Sequence, residues 1–348
     1  MFMFDGFLLL LTVIVPVVLA VSIVVFVVGV GDCRVEKIKS IFKLDSSKGL
    51  IGQGLLWLSI FIPLFLALSL GFWVWPNYQV DLSLEGYRKF IEVSLLPLGM
   101  MSISLPLTGL VARFHSTQQT ARQIEVVSAK NNLDAFYSHR KEMISYFSSM
   151  GEIEYLKSVK FVYGIHPVLH LRFFEGAPDK GLPLVNRESF DYVEGKILFA
   201  SKLLASVLLG EGGGIGLLNS YLNACDNIYL AAKALAIKEV CNSLVAKGVE
   251  VKSDSGESGS ITIGTTTLEV LAAIRFVKGY YDNLCDFSGV PRMKVPEGRG
   301  VVFRGGQKLL DGELFIEALH RGELANLVAE GRARYSEDHP SICKKQES

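Results

Sequence analysis

The chain has 348 residues, half of them hydrophobic, and its 35 Lys and Arg balance 35 Asp and Glu. A formal net charge of zero leaves the whole molecule without bulk attraction for nucleic acid or acidic lipid. The five cysteines are odd in number and contain no CxxC pair, which argues against a zinc site or a disulfide framework and suits a reducing compartment.

Three uncharged, mostly apolar runs occupy most of the first 112 residues: Gly6 to Gly31, Gly49 to Val80 and Val93 to Ala112. A helix needs about 20 apolar residues to cross the hydrocarbon core of a bilayer. Lipid offers the backbone no hydrogen-bond partner, so such runs persist there as helices. The sequence therefore predicts a transmembrane domain over residues 1–112, with spans at about 7–30, 50–75 and 92–112.

The first run, Phe7 to Val30, is longer than the apolar part of a signal peptide, and no Lys or Arg precedes it. We expect it to be retained as a transmembrane helix.

The third run contains residues that disturb a helix. Glu92 stands at its start, and Pro97, Gly99 and Pro106 lie within it. One interpretation is a kinked span, which membranes tolerate when the freed carbonyl finds a partner. The other is a helix that packs against partners or lines a water path, since a charged group beside lipid is costly. These four residues are the candidates for membrane packing or a pore.

Positive residues near the spans predict the orientation, because Lys and Arg are retained on the cytoplasmic side. None precedes the first span, and the second loop has only Arg88 and Lys89. Those of the first loop are Arg34, Lys37, Lys39, Lys43 and Lys48; those that follow the third span include Arg113, Arg122, Lys130, Arg140 and Lys141. This pattern predicts a periplasmic N-terminus and a cytoplasmic C-terminal domain.

Residues 113–150 favour an amphipathic helix that leaves the membrane. Its apolar stripe recurs at three-, four- and seven-residue intervals and includes Leu133, Phe136, Tyr137, Ile144 and Phe147. This face either binds a partner or packs on the chain's own domain, and we favour the second slightly.

The rest of the chain predicts a mainly α fold with a few short strands over 151–335, followed by a disordered tail at 336–348. Strands or extended segments are expected at Val159–Tyr163, Val168–Phe174 and Ile261–Ile263. Helices are expected at Arg187–Leu209, Ile215–Lys247, Thr266–Cys285 and Asp311–Tyr335.

No local motif predicts catalysis. The glycine-rich segment from Gly210 to Gly216 lacks the Lys-Ser/Thr pair of a phosphate-binding loop, so a turn between helices is expected. His166 and His170 flank Pro167 and lack the glutamate of a zinc-binding helix. We expect no enzyme activity, metal or cofactor, although a site assembled from distant residues stays open as an alternative.

Basic residues concentrate late in the chain. Lys and Arg contacts to phosphate would give salt-sensitive, sequence-independent binding of nucleic acid, while a solvated surface loop is the common alternative. The candidates for contact with nucleic acid or a partner are Arg275, Lys278, Arg292, Lys294, Arg299, Arg304 and Lys308.

The end of the third run carries a resemblance. The sequence reads Pro97-Leu98-Gly99, then Leu105-Pro106-Leu107, then Arg113-Phe114-His115-Ser116-Thr117-Gln118-Gln119-Thr120, and continues through Gln123-Ile124-Glu125 and Asn132 to Phe136-Tyr137 and His139. These residues resemble the membrane-exit segment of the effectors encoded beside retron reverse transcriptases in bacterial antiphage defence. The similarity covers about 50 residues closely and the order of membrane and soluble domains loosely.

The resemblance implies a toxin-like protein of the bacterial inner membrane. In that family a complex of the reverse transcriptase with its multicopy single-stranded DNA (msDNA) holds the effector inactive, and phage infection releases it to damage the membrane and kill the cell. Pores or ruptures require spans that associate, so an oligomer is expected. Two alternatives stay open: a membrane-anchored sensor or binding module without toxicity, and a membrane-tethered enzyme.

Overall fold

The computed structural model describes residues 2–211, 214–252, 259–304 and 315–342. It is 72% helical and 6% strand, so the predicted mainly α fold with a few short strands is confirmed. The chain divides into two compact units, Met1–Lys130 and Asn131–Ser348. We call them the membrane unit and the C-terminal unit. The boundary lies inside one long helix, which differs from the division at residue 112 expected from hydropathy.

The membrane unit contains five helices: α1 Phe2–Val28, α2 Arg34–Phe42, α3 Gly54–Val74, α4 Leu84–Ser102 and α5 Ser104–Ser148, the last extending into the C-terminal unit. Three of the helical stretches are long and apolar enough to cross a membrane: Leu10–Val28, Gly54–Asn77 and Leu84–Ser148. The prediction of three apolar N-terminal helices is confirmed, and the chain is a membrane protein.

The third apolar stretch consists of two helices joined through Ile103, whose φ of −63° and ψ of −24° are still helical, so the break between them is one residue long. α4 begins at Leu84, where the Ser83 side chain accepts the Gly86 N–H at 3.1 Å. It continues through Pro97 and ends at Ser102, and α5 begins two residues later. Pro106 lies in the first turn of α5, where a helix has no partner for the N–H that proline lacks. The break therefore costs little backbone hydrogen bonding.

The C-terminal unit is built from three long helices, several short ones and short strands around one apolar core. Its helices are α6 Val168–Phe173, α7 Arg187–Leu208, α8 Gly214–Ala234, α9 Thr267–Ser288, α10 Gly300–Arg304, α11 Phe315–Leu319 and α12 Ala325–Ala329, with π-helical turns at Glu239–Leu244 and His320–Leu324. Its strands are β1 Glu152–Tyr155, β2 Val159–Val162, β3 Phe174–Glu175, β4 Leu184–Val185, β5 Val249–Val251, β6 Ser260–Ile261 and β7 Ala333–Tyr335.

All the strand pairs are antiparallel. β1 pairs with β2, β3 with β4, and β5 lies between β6 and β7. α9 is the most buried long helix of the unit. Its N-terminus is fixed by a capping box in which the side chains of Thr266 and Glu269 satisfy each other's backbone N–H groups. α9 thus starts where the sequence predicted a helix.

The segment Val168–Phe174 was expected to be a strand or extended, and this was wrong. Its first six residues form α6, which follows Pro167 and buries Leu169, His170 and Phe173. Leu169 and Phe173 are four residues apart and share one helical face. Tertiary burial of that face outweighs the β preference of the sequence.

The helix expected over Ile215–Lys247 is broken. α8 ends at Ala234, and Ala236 takes a left-handed conformation with a φ of 55°. The Ile237 N–H returns to the Ala232 carbonyl at 2.9 Å, which closes the helix end. The sequence gives no signal here because glycine, the usual residue for that conformation, is absent.

The C-terminal region also differs from its prediction. The helix expected at Asp311–Tyr335 is described from Phe315 and stops at Ala329; Gly331, with a φ of 73°, then turns the chain into β7. Residues 336–342 are ordered, since the Ser336 N–H donates to the Gly248 carbonyl and His339 is buried. Residues 311–314 and 343–348 lie outside the described residues.

Candidate functional site in the membrane unit and its exit helix

Hydroxyl groups join the apolar helices of the membrane unit. The Ser69 hydroxyl of α3 donates to the Thr12 carbonyl of α1 at 3.0 Å. The hydroxyls of Ser59 in α3 and Thr108 in α5 lie 3.1 Å apart. Such bonds add to the van der Waals packing that drives helix association in lipid, where the lipid tails are as apolar as the side chains.

A second contact fixes the direction of the interrupted helix. The Trp75 indole, just beyond α3, donates to the Ser94 hydroxyl of α4 at 3.0 Å. From Trp75 back to Ser59 is about 24 Å of helix, and from Ser94 forward to Thr108 is about 21 Å, at 1.5 Å per residue. The residues between Ser94 and Thr108 therefore run antiparallel to α3 over most of its length. A third membrane-crossing segment requires such an antiparallel course beside the second.

The four candidates on the third run occupy different environments. Pro97 is buried, whereas Glu92, Gly99 and Pro106 are exposed. A Cβ added at Gly99 would have no neighbour within 4 Å, so this glycine is not required by close packing within the unit. Ser102, beside the break, turns its hydroxyl to the Gly99 carbonyl at 2.8 Å. Glu92 therefore presents its carboxylate on the outside of α4, one turn after Arg88 and Lys89 and just before the uncharged part of the helix.

The apolar stripe of the exit helix divides into two faces. Phe136 and Phe147 are buried in the C-terminal unit, and the Phe147 ring stacks on Tyr280 with centroids 4.8 Å apart. Leu133, Tyr137 and Ile144 keep 40% or more of their side-chain surface exposed. Part of the stripe therefore packs on its own unit, and the exposed part is an apolar face with room for a partner.

Two histidines meet inside an aromatic cluster at the end of α5. His139 Nδ1 lies 3.1 Å from His170 Nε2, and both rings pack edge-on or stacked against Phe174. Burial, together with smaller effects of the neighbouring His139 and Arg140, lowers the pKa of His170 to about 4. Burial also lowers the pKa of His139. The pair is neutral at physiological pH and joins α5 to α6.

A half-buried histidine, His320, faces His339 in the segment after β7, with ring centroids 6.4 Å apart. His320 Nε2 lies 3.0 Å from the Tyr221 hydroxyl, and burial lowers its pKa to about 4. His339 stacks on Tyr335 with centroids 4.1 Å apart. Among the described residues, no group of three or more His, Cys, Asp or Glu could hold a metal ion.

Most of the late basic residues have partners within the protein. The Arg275 Nε donates to the Val302 carbonyl at 2.7 Å, and the Arg299 guanidinium donates to the Leu198 carbonyl at 2.9 Å. Lys278 pairs with Asp282, and Arg292 pairs with Asp286. These four residues stabilise the packing of the segment that follows α9.

The basic side chains that remain for a ligand are few. Lys294 and Arg304 are exposed and make no ion pair within the described ranges. Lys308 lies outside the described residues, as do Gly212 and Gly213 of the glycine-rich turn. A nucleic-acid contact through this segment would therefore depend on Lys294 and Arg304 among the residues described.

Sequence reasoning missed the residues that connect the elements. The Ser59–Thr108 and His139–His170 contacts join residues 49 and 31 positions apart, and no local pattern marks such pairs. A weak signal was present for the first, since hydroxyl residues in apolar spans commonly bond across helices.

The fold defines a membrane protein in which three apolar helices precede a mainly helical unit. Comparisons with protein-family models, with curated proteins and with solved structures found no match to this chain. Function is therefore inferred from the residues and their geometry.

Proposed function

We propose that the chain is an inner-membrane effector of a retron-type antiphage defence system. A reverse transcriptase–msDNA complex holds it inactive, and its release permeabilises the membrane and kills the infected cell. The proposal rests on the resemblance carried by residues 97–139 and on the geometry of α5.

The observation that carries the proposal is the continuity of α5. One helix of 45 residues, Ser104–Ser148, begins beside the break in the third apolar stretch and ends in the core of the C-terminal unit. Its first turns bond to α3 through Thr108, and its last turns bury Met143 and Phe147. Without a proline or bulge a helix curves only gently, so displacement of one end of α5 can reach the other. A partner that binds the C-terminal unit can thereby act on the spans.

The third apolar stretch supplies the element that would respond. Its two helices, α4 and α5, meet at the single residue Ile103, and hydroxyl contacts hold both of them against α3. In the proposed active state these contacts exchange for contacts between copies, and Glu92 lines water. An oligomer is the expected active form.

The proposed orientation follows from charge. The cations of the first loop stay in the cytoplasm, which puts the N-terminus and the second loop in the periplasm. Trp73, Trp75 and Tyr78 then lie at the outer interface, where amphipathic rings are favoured, and all three are exposed.

The proposal is tested by expressing the chain in bacteria alone and together with its genomic neighbours, while membrane potential is followed with a voltage-sensitive dye. We expect depolarisation and growth arrest when the chain is expressed alone, and protection when the neighbours are present. Unchanged potential and growth after loss of the partners would contradict the proposal. A reverse transcriptase gene next to this one would support the same conclusion.

The role of α5 is tested by interrupting it where it is exposed. Gln123→Pro removes a backbone donor and breaks the helix, whereas Gln123→Ala at the same position keeps it. We expect the proline variant to insert normally but to lose partner-controlled depolarisation, and the alanine variant to behave as the native chain. Equal behaviour of the two variants would exclude coupling through α5.

A second candidate is a membrane-anchored binding module without toxicity. The exposed apolar face of Leu133, Tyr137 and Ile144 favours it, because such a face binds a partner whatever the spans do. Replacing residues 1–112 with an unrelated three-span anchor separates the two candidates. Retained function in the chimera would favour the binding module, and lost function would favour the effector.

A further inference from the structure

The short helix α2 packs tightly on the ends of the first two apolar helices. Ile41 of α2 is buried against Val24 of α1 and Leu58 of α3. A Cβ added at Gly54, the first residue of α3, would lie 2.6 Å from the Ile41 Cα and 2.7 Å from its carbonyl oxygen. The Val30 N–H donates to the Ser40 hydroxyl at 3.0 Å. α2 therefore has a fixed position at the junction of α1 and α3.

Beside this packed side, α2 exposes an apolar stripe. Val35, Ile38 and Phe42 are spaced by three and four residues, so they share one face of the helix. Their exposed fractions are 60%, 43% and 54%. An exposed apolar stripe at the end of two membrane-crossing helices lies at the level where the acyl chains of a bilayer meet its headgroups.

The same helix carries a concentration of unpaired positive charge. Arg34, Lys37, Lys39 and Lys43 lie within ten residues and form no ion pair in the part of the chain that the structure describes. The one acid of this stretch, Glu36, accepts the Asp32 N–H at 3.1 Å. A basic helix with an apolar stripe is the pattern that binds an anionic lipid surface.

We propose that α2 is a docking surface for the headgroups of acidic phospholipids. The lysine ammonium groups contact lipid phosphates while Val35, Ile38 and Phe42 enter the acyl-chain boundary. Because Ile41 of the same helix packs between α1 and α3, bound acidic lipid stabilises the membrane unit. This site goes beyond the proposed function and does not depend on it.

The test uses the full chain in nanodiscs of phosphatidylcholine, with or without phosphatidylglycerol, and measures the unfolding temperature. We expect phosphatidylglycerol to raise Tm by about 2–4 °C, and high salt to remove this rise because it screens the phosphate contacts. The triple variant Lys37→Gln, Lys39→Gln, Lys43→Gln should show no rise, and the triple Lys→Arg variant should keep it.

A matched control removes the same charge elsewhere, at three exposed lysines: Lys130→Gln, Lys141→Gln and Lys202→Gln. It should retain the native rise. An equal rise in the α2 glutamine variant, or no rise in the native chain, would overturn the proposal. A rise produced by inorganic phosphate in phosphatidylcholine nanodiscs would also overturn it, because the site would then bind free anions. If the glutamine variant fails to insert, the salt dependence of the native rise still decides the outcome.

Discussion

Ser59 and Thr108, 49 residues apart in the chain, place their hydroxyl oxygens 3.1 Å from each other. Ser59 also donates to the Leu56 carbonyl at 2.6 Å, so Thr108 supplies the proton for the bond between the helices. This contact ties the start of α5 to α3 and sets where the interrupted third stretch lies.

Thr108→Val removes the donor and keeps the shape of the side chain. We expect the free energy of unfolding of the membrane unit to fall by about 0.5–1.5 kcal/mol, the usual range for a hydrogen bond between helices in lipid. Unfolding in mixed micelles measures this. The control is Ser102→Ala, since Ser102 bonds only within its own helix. Equal losses in the two variants would show that the contact between the helices contributes nothing.

Gly54 and Gly99 differ in how closely other residues approach them, so alanine substitutions at the two positions test close packing. A Cβ at Gly54 would overlap Ile41, while one at Gly99 would meet nothing within 4 Å. Gly54→Ala should destabilise the membrane unit by about 1–3 kcal/mol, the cost of overpacking, and Gly99→Ala should be neutral or slightly stabilising. Thermal unfolding in detergent compares them. If Gly54→Ala left the stability of the membrane unit unchanged, α2 would be able to move away from the added methyl group at little cost.

Phe147 anchors the exit helix in the C-terminal unit. Phe147→Ala should lower the free energy of unfolding of that unit by about 3–5 kcal/mol, because it removes a fully buried ring. Tyr137→Ala, on the exposed side of the same helix, should cost less than about 1 kcal/mol. Denaturant unfolding of the full chain provides the comparison. Similar costs at both positions would contradict the division of the stripe into two faces.

The buried histidines predict a loss of stability in acid. The pKa of His170 is about 4 in the folded protein and about 6.5 when unfolded, so between these values the unfolded chain binds more protons. The stability that depends on keeping His170 neutral is fully present above pH 6.5, and it declines as pH falls towards 4. We expect His170 alone to lower the unfolding free energy by about 1–2 kcal/mol from pH 7 to pH 5.

His170→Gln should reduce this pH dependence, while the same change at the exposed His166 should not. Part of the pH dependence should remain in the His170 variant, because the pKa of His320 is also about 4. Stability that is flat from pH 7 to pH 5 in the native chain would contradict this prediction.

Charge reversal at Lys294 and Arg304 tests most directly whether the late basic segment binds nucleic acid. Reversing both, Lys294→Glu with Arg304→Glu, should weaken binding of single-stranded DNA by about tenfold and reduce its salt dependence. Fluorescence anisotropy at two salt concentrations measures both effects. The control reverses the exposed Lys130 and Lys202. If the Lys294→Glu, Arg304→Glu variant bound DNA with unchanged affinity, the late basic segment would be solvated surface and not a binding site.

Arg299 is not included in that test, because its side chain has a partner inside the protein. Its guanidinium donates to the Leu198 carbonyl of α7, so Arg299→Glu would alter packing as well as charge. The sequence marks all seven basic residues alike, because composition does not reveal which ones are used inside the protein.

The sequence by itself determined the elements that depend on local chemistry. Uncharged runs of sufficient length predicted the three apolar helices, and Pro97 and Pro106 marked the region of the third one where the structure has its break at Ile103. The sequence also predicted a helix from about Thr266, and α9 begins there at a capping box between Thr266 and Glu269. In each case the physical cause lies within a few residues of the feature.

The tertiary structure decided what depends on distant residues. α6 is a helix because its Leu169 and Phe173 face reaches the core, and α8 stops at Ala234 although no glycine marks the end. The partners of Thr108 and His170, and the burial of Phe147 beside an exposed Tyr137, are likewise invisible to periodicity. Which face is buried, and which polar group finds a partner, is fixed by the free energy of the whole packed unit.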